Sequence, residues 1–356
     1  MTREELIQEY AKCFTDTKYA IETYLETYDN TQGSHVPFKL FPEQGTLIDD
    51  YESSNENVVL KYRQAGVSTV TSAWLSKKLQ FASPEKPEKV LILANKLDTA
   101  TEMANKVKVF VGFDKDKNAQ KHYRLTNGSE VKAVATSVDA LRGYTPTVLV
   151  FDEAAYIETG TDLWAACMAS LSTGGQVIVI STPNGFDKIY YEIYDQSVRG
   201  LNDFKISELK WYWDPRFNKD LKFIKLEKDL THYFLNRDDY VDHEILENIS
   251  PDNYERLIGD GYTPFSSWFE TMCKKLKYDR RKISQELECA FLGSGDNVIP
   301  GDTITTIEKE VREPVERWIG NDLWVWKEPI EGHKYIMGID VSRGDSEDST
   351  GFTIID

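Results

Sequence analysis

The sequence predicts an α/β fold: a mostly parallel sheet with helices on both faces. Three observations carry this prediction. Apolar runs of strand length alternate with segments of helix length through residues 57–196. The first run leads into a loop, Arg63-Gln64-Ala65-Gly66-Val67-Ser68-Thr69. A later run, Val148-Leu149-Val150-Phe151, ends in Asp152-Glu153. Parallel strands buried on both faces read as such continuous apolar runs, and ligands bind such sheets at the carboxyl ends of the strands.

The elements follow in order. Residues 4–28 read as one helix, because Leu6, Tyr10, Phe14, Ala20, Ile21 and Tyr24 fall near helical spacing. A loop with Gly33 and Pro37 comes next. Strands are expected at 57–61, 89–94, 147–151 and 176–181, and helices at 68–80, 98–110, 162–171 and 186–196. Asn127-Gly128 marks a hairpin between 121–125 and 130–135. After residue 205 the chain becomes rich in Tyr, Trp, Asp and Lys, with helical patches and no strand alternation, which predicts a smaller, mainly helical second subdomain. Residues 312–330, with Pro314, Gly320 and Pro329, read as a linker. Two strands then follow, Tyr335-Ile336-Met337-Gly338-Ile339-Asp340 and residues 351–355. Two strands cannot bury a sheet face, so 331–356 reads as the start of a further, incomplete domain. The expected division is 1–205, 206–311, 312–330 and 331–356.

Bulk properties narrow the function classes. No apolar run approaches a membrane span and no signal-peptide pattern opens the chain. Cys13, Cys167, Cys273 and Cys289 show no CxxC spacing, which predicts reduced thiols in a cytoplasmic protein. The five histidines contain no pair at metal-ligand spacing. The net charge of −17 is unusual for a stand-alone nucleic-acid binder, so any contact with DNA needs a local patch or an assembly. The densest basic stretch is Lys274, Lys275, Lys277, Arg280, Arg281 and Lys282, and its acidic flanks favour a solvated helix face. Trp211, Trp213 and Trp268 are expected to pack the second subdomain.

The glycine loop and the carboxylate strand point to nucleoside-triphosphate chemistry. In a phosphate-binding loop, backbone N–H groups and the following helix N-terminus face the phosphates; a lysine neutralises them and a Ser or Thr hydroxyl holds Mg²⁺. Here Gly66, Ser68 and Thr69 are present, but Val67 stands where the lysine belongs, and the first glycine is missing too. Lys61, five positions before Gly66, can supply the charge by reaching back over the phosphates. Arg63 can act on the bound nucleotide or face a neighbouring subunit as an arginine finger. Asp152 is positioned to hold Mg²⁺, and Glu153 to serve as general base for an attacking water. Thr182, taken by itself, reads as a strand end before the Pro183-Asn184-Gly185 turn.

Four motifs in this order resemble the large terminase subunit of tailed bacteriophages, with the myovirus branch nearest. They are Arg63-Gln64-x-Gly66-x-Ser68-Thr69, Leu141-Arg142-Gly143, Phe151-Asp152-Glu153-Ala154-Ala155-Tyr156 and Ser181-Thr182-Pro183-Asn184-Gly185. The resemblance covers most of the chain. It implies a P-loop NTPase of the RecA/ASCE-like type, an ATP- and Mg²⁺-dependent motor that moves double-stranded DNA into the prohead. It implies that Gln44, in Phe41-Pro42-Glu43-Gln44, reads the adenine edge. Lys61, Gln64, Gly66, Val67, Ser68 and Thr69 would cradle the phosphates, with Ser68 and Asp152 on the metal. Arg63 and Glu153 would be catalytic, and Thr182 would sense the γ-phosphate. The C-terminal strands would open an RNase H-like nuclease domain, with Asp340 and Asp348 as divalent-metal ligands and no nuclease activity expected without the rest. The implied partners are double-stranded DNA, the portal protein, the small terminase subunit and other copies in a ring on the portal, with a monomer in solution. The implied place is the host cytoplasm, docked transiently on the prohead and absent from the virion. A helicase-like ATPase and a nucleotide-binding scaffold with a degenerate loop are the rival readings.

Overall fold

The structure is a computed structural model. It describes residues 1–29, 32–112, 121–136, 144–157, 160–171, 174–186, 189–226, 233–234, 244–291, 311–318, 323–340 and 351–355. The chain forms two compact units, Met1–Gly301 and Asp302–Asp356.

The first unit opens with helices α1 (Arg3–Thr15) and α2 (Thr17–Tyr24), then the hairpin β1 (Glu26–Asp29) and β2 (Ser34–Pro37). This corrects the single helix expected over 4–28. Asp16 is extended, and its carboxylate accepts a hydrogen bond from the Tyr19 N–H at 2.9 Å, so it stops α1 and caps α2. Apolar spacing continues across the break because both helices show apolar side chains to one neighbourhood.

Helix α3 (Pro42–Ser53) leads into β3 (Glu56–Lys61) and α4 (Val67–Gln80). Then come β4 (Lys89–Ala94), α5 (Leu97–Phe110), the hairpin β5 (His122–Arg124) and β6 (Glu130–Ala135), β7 (Val148–Asp152), α6 (Gly160–Ser170), β8 (Gln176–Ser181), α7 (Ile189–Val198) and β9 (Lys205–Leu209). The seven strands from β3 to β9 form one sheet in the order β5-β6-β4-β7-β8-β3-β9, parallel throughout except for β5. Every residue of β7 and β8 is buried, so both faces of the sheet centre are covered. The predicted strands agree with these bounds to within a residue.

The register positions the site. Leu60 pairs with Ser181, and Asp152 pairs with Ile180. The ends of β3, β8 and β7 are therefore level, with β8 between the loop strand and the carboxylate strand. Lys61, Thr182 and Glu153 emerge at one edge of the sheet, where the strand order places a ligand crevice.

The next region holds short strands beside its helices. Strand β9 hydrogen-bonds to β3 as the edge of the main sheet, so a boundary at 205/206 would cut it. Beyond it lies a three-stranded antiparallel sheet, β11-β10-β12, from β10 (Lys222–Lys225), β11 (Ile245–Glu247) and β12 (Tyr262–Phe265). These strands of three or four residues are too short to show alternation. Helices α8 (Tyr254–Gly259), α9 (Ser267–Lys275) and α10 (Arg280–Ile283) accompany it, and α10 runs into a π-helical turn, Ser284–Glu288. Trp211 stacks on Phe269 at 4.8 Å and Trp268 on Phe217 at 4.0 Å. One hydrophobic core joins this region to the main sheet.

The second unit holds two antiparallel hairpins. One pairs β13 (Glu316–Trp318) with β14 (Leu323–Val325), inside the segment expected to be a plain linker. The other pairs β15 (Ile336–Asp340) with β16 (Gly351–Ile355), the two strands expected there.

Candidate active site

The loop between β3 and α4 is shaped by its glycine. Gly66 has φ +78° and stands at the N-terminal end of α4, accepting the N–H groups of Thr69 and Val70 at 3.0 Å each. A Cβ there would be strained by the positive φ and, 2.9 Å from Gln44 Nε2, would displace the Gln44 amide. Gln44 is buried and braces the loop: its amide donates to the Ala65 carbonyl at 3.2 Å, and its Oε1 accepts the Phe41 N–H at 3.1 Å. Val67 is 1% exposed and belongs to the core. A lysine at 67 would have to leave that packing.

Lys61 is the lysine that stands beside the acids of the site. At the end of β3 its side chain is 8% exposed, and Nζ lies 3.0 Å from Glu153 Oε1. Asp152, the last residue of β7, is buried, and Ser68 Oγ donates to its Oδ2 at 3.1 Å. Burial pushes the Asp152 carboxyl above the usual range, against the pull of the nearby Lys61 ammonium. Glu153 sits at φ +55°, ψ +45°, a left-handed conformation strained for a side-chain-bearing residue, and its own N–H bonds Asp152 Oδ1 at 3.1 Å. Two acids, one lysine and one hydroxyl thus converge from β3, α4 and β7 beside the Gly66 loop and the N-terminal end of α4. This arrangement can bind phosphate and a divalent cation and can take a proton from water.

The profile of the family described as "Terminase large subunit, T4likevirus-type, N-terminal" matches residues 58–306. The chain belongs to that large terminase family. Among solved structures, the HK97 bacteriophage large terminase aligns at a TM-score of 0.50 with 14% identity, covering 96% of this chain and 64% of that one. The large terminase ATPase domain of Thermus phage P74-26 aligns at 0.43 with 19% identity, covering 72% of this chain and 95% of that one. At these identities the HK97 likeness speaks for the fold, and this chain spans less than two thirds of that full-length terminase.

The remaining residues of the terminase motifs fall as follows. Thr182 is buried just past β8, and its Oγ1 lies 3.1 Å from Tyr156 Oη. Thr69 lies in the first turn of α4, and Gln64 takes φ +69° in the loop. Arg63 is paired: its backbone N–H bonds the Glu286 carbonyl at 2.7 Å, and Nη1 lies 3.0 Å from Glu286 Oε2. Leu141-Arg142-Gly143 and Asp348 lie outside the described residues, as does the side chain of Asp340.

Four residues packed around the site escaped the sequence. Arg216 Nη2 donates to the Gln64 carbonyl at 3.1 Å and to Asp214 Oδ2 at 2.6 Å, and its guanidinium stacks 4.8 Å from the Phe41 ring. Asp214 is buried and also accepts from the Tyr62 hydroxyl. Gln285 and Glu286, on the π-helical turn, touch Tyr156 and Arg63. Only the Asp-Pro-Arg run at 214–216 could have hinted at a brace, and nothing local marks the other two.

Proposed function

We propose that this chain is the ATP-hydrolysing part of a phage DNA-packaging motor. The observation that carries the reading is the Lys61, Ser68, Asp152 and Glu153 cluster beside the Gly66 loop, in a chain of the large terminase family. The residues fit Mg²⁺. A buried carboxyl whose ionisation burial opposes calls for positive charge, and Asp152 with Ser68 offers the oxygen donors this hard cation takes. Bound Mg²⁺ would neutralise phosphate charge at the reacting end of ATP.

The chain's own groups do the rest. The loop N–H groups and the start of α4 receive the phosphates. Lys61 is held by Glu153 in this structure; triphosphate oxygens compete for the ammonium and release the carboxylate towards water. Glu153 then accepts the proton of the attacking water. Arg63, released from Glu286, is placed to meet the γ-phosphoryl of its own subunit or of a neighbour. Gln44 fixes the loop and borders the place for the adenine. Translocation of double-stranded DNA on a portal-docked ring, with the small terminase subunit as partner, completes the proposal. Asp340, at the end of β15, and Asp348 are proposed as metal ligands of the nuclease in the full-length protein.

The test is steady-state ATPase activity with Mg²⁺ for wild type, Glu153→Gln and Lys61→Ala, with and without DNA and at several concentrations. Wild type should turn over, and both variants should fall by about 100-fold or more, the usual scale for losing a general base or a phosphate-binding charge. An active Lys61→Ala would refute the assignment of the loop charge. A wild type that binds ATP and never hydrolyses it would favour a nucleotide-binding scaffold.

A further inference from the structure

Gln285 touches no residue of the phosphate loop, yet its amide is tied into the site from behind. Its Nε2 donates to Tyr156 Oη at 2.7 Å and lies 3.4 Å from Asn184 Oδ1. Asn184 is itself oriented, because its Nδ2 donates to the Ala155 carbonyl at 3.1 Å. An amide nitrogen is donor only. With Asn184 presenting its oxygen, the Gln285 amide cannot flip without setting carbonyl against carbonyl. Tyr156 Oη therefore accepts from Gln285, and this acceptance favours donation of its own proton to Thr182 Oγ1, 3.1 Å away, over acceptance of a second bond from it. In that arrangement Thr182 Oγ1 accepts from Tyr156 on one lone pair, and its own hydroxyl proton is left to point onward. Thr182 ends the strand that lies between the loop strand and the carboxylate strand.

We propose that Gln285 is a positioning residue for hydrolysis: through Tyr156 it sets the direction of the hydrogen bonds so that Thr182 offers a proton to the terminal phosphoryl of the bound triphosphate. This rests on the reading of the site as an ATPase. Chains of hydrogen bonds reinforce one another when they run one way, and reversing the first donor reverses the chain. The π-helical turn that carries Gln285 is well held for this task, because the Glu286 carbonyl accepts the Arg63 N–H at 2.7 Å. Turns of this kind recur at functional sites.

The test uses Gln285→Glu, which keeps the shape and makes the group an acceptor, together with Tyr156→Phe and the double variant. Melting curves confirm folding. Equilibrium binding of ADP and of ATPγS is measured beside kcat and KM from pH 5 to 9. At pH 8, Gln285→Glu should bind ADP as wild type does, bind ATPγS about fivefold more weakly and turn over about tenfold more slowly. As the pH falls and the introduced carboxyl takes up a proton, it can donate again, and its rate relative to wild type should recover. Added to Tyr156→Phe, Gln285→Glu should have no further effect. Equal weakening of ADP and ATPγS, a rate ratio constant with pH, multiplicative effects in the double variant, or wild-type behaviour of Gln285→Glu would each overturn the proposal. A wild type without turnover would overturn it together with the ATPase reading, whereas an active wild type with active variants overturns the relay alone.

Discussion

Glu43 lies one residue before the loop brace Gln44 and is the most poorly satisfied acid near the site. Its Oε1 is buried without a hydrogen-bond partner among the described residues. Burial, and then the neighbouring Asp214 charge, push its carboxyl from 4.5 to about 8, with Arg216 opposing. The sign follows from linkage. Between these two values the folded chain holds a proton that the unfolded chain has released, so stability falls as the pH climbs through that window. Glu43's favourable contribution is complete below its unfolded value and lost above its folded one. Glu43→Gln should remove this slope. It should melt several degrees above wild type at pH 9 and close to wild type at pH 5. An equal offset at both pH values, read by thermal melts, would show that Glu43 does not titrate in this window. The sequence could present Glu43 only as part of a motif. The charges that act on its carboxyl, Asp214 and Arg216, are remote in the chain.

At the scale of elements, the phosphate loop is an arch held at two sides. On one side Gln44 of α3 fixes Ala65; on the other Arg216, between β9 and β10, fixes Gln64. Arg216 is also the charge partner of Asp214, whose side chain is 2% exposed while that of Arg216 is 40% exposed. Removing the cation leaves a buried carboxylate held by the Tyr62 hydroxyl, a loss of roughly 3 kcal/mol for a pair of this kind. Arg216→Met should therefore lower the urea midpoint clearly and weaken ADP binding as the loop loosens. Unchanged values in both measurements would show that the arch stands on Gln44 alone. This brace also shows what a sequence does and does not disclose. Strands β3, β4, β7 and β8 were legible because buried parallel strands are unbroken apolar runs. The loop and the Asp152-Glu153 pair were legible because each is a contiguous chemical pattern. The break at Asp16 was hidden by a periodicity that crosses it, and β10, β11 and β12 by their shortness. Arg216, Gln285 and Glu286 were hidden because their meaning lies in contacts across more than a hundred residues, which no local period encodes.

At the scale of the whole molecule, charge and core are unevenly distributed. The chain carries −17, and half of the six-residue basic stretch near α9 and α10 is paired with acids: Lys274 with Glu270 at 3.1 Å, Lys282 with Asp279 at 3.5 Å, and Arg280 with Glu288. Such pairs reduce the positive charge that this stretch offers a phosphate backbone. The core is more lopsided still. Among the described residues every buried hydrophobic side chain lies between Cys13 and Cys289, while Ile336, Met337, Ile339, Phe352, Ile354 and Ile355 are exposed. Burial of apolar surface is the main source of folding free energy, so stability resides in Met1–Gly301. A chain ending at Gly301 should melt within about 2 °C of the full sequence, since only a loss of roughly 1 kcal/mol or more would shift the midpoint further in a domain this size. It should also keep the same ADP affinity, because every loop and acid of the site lies before that point. Residues 331–356 alone should give the circular dichroism of an unfolded peptide, as expected of an isolated two-stranded hairpin in water. A drop of 10 °C or more in the shortened chain, or a folded C-terminal peptide, would place part of the stabilising core in the second unit.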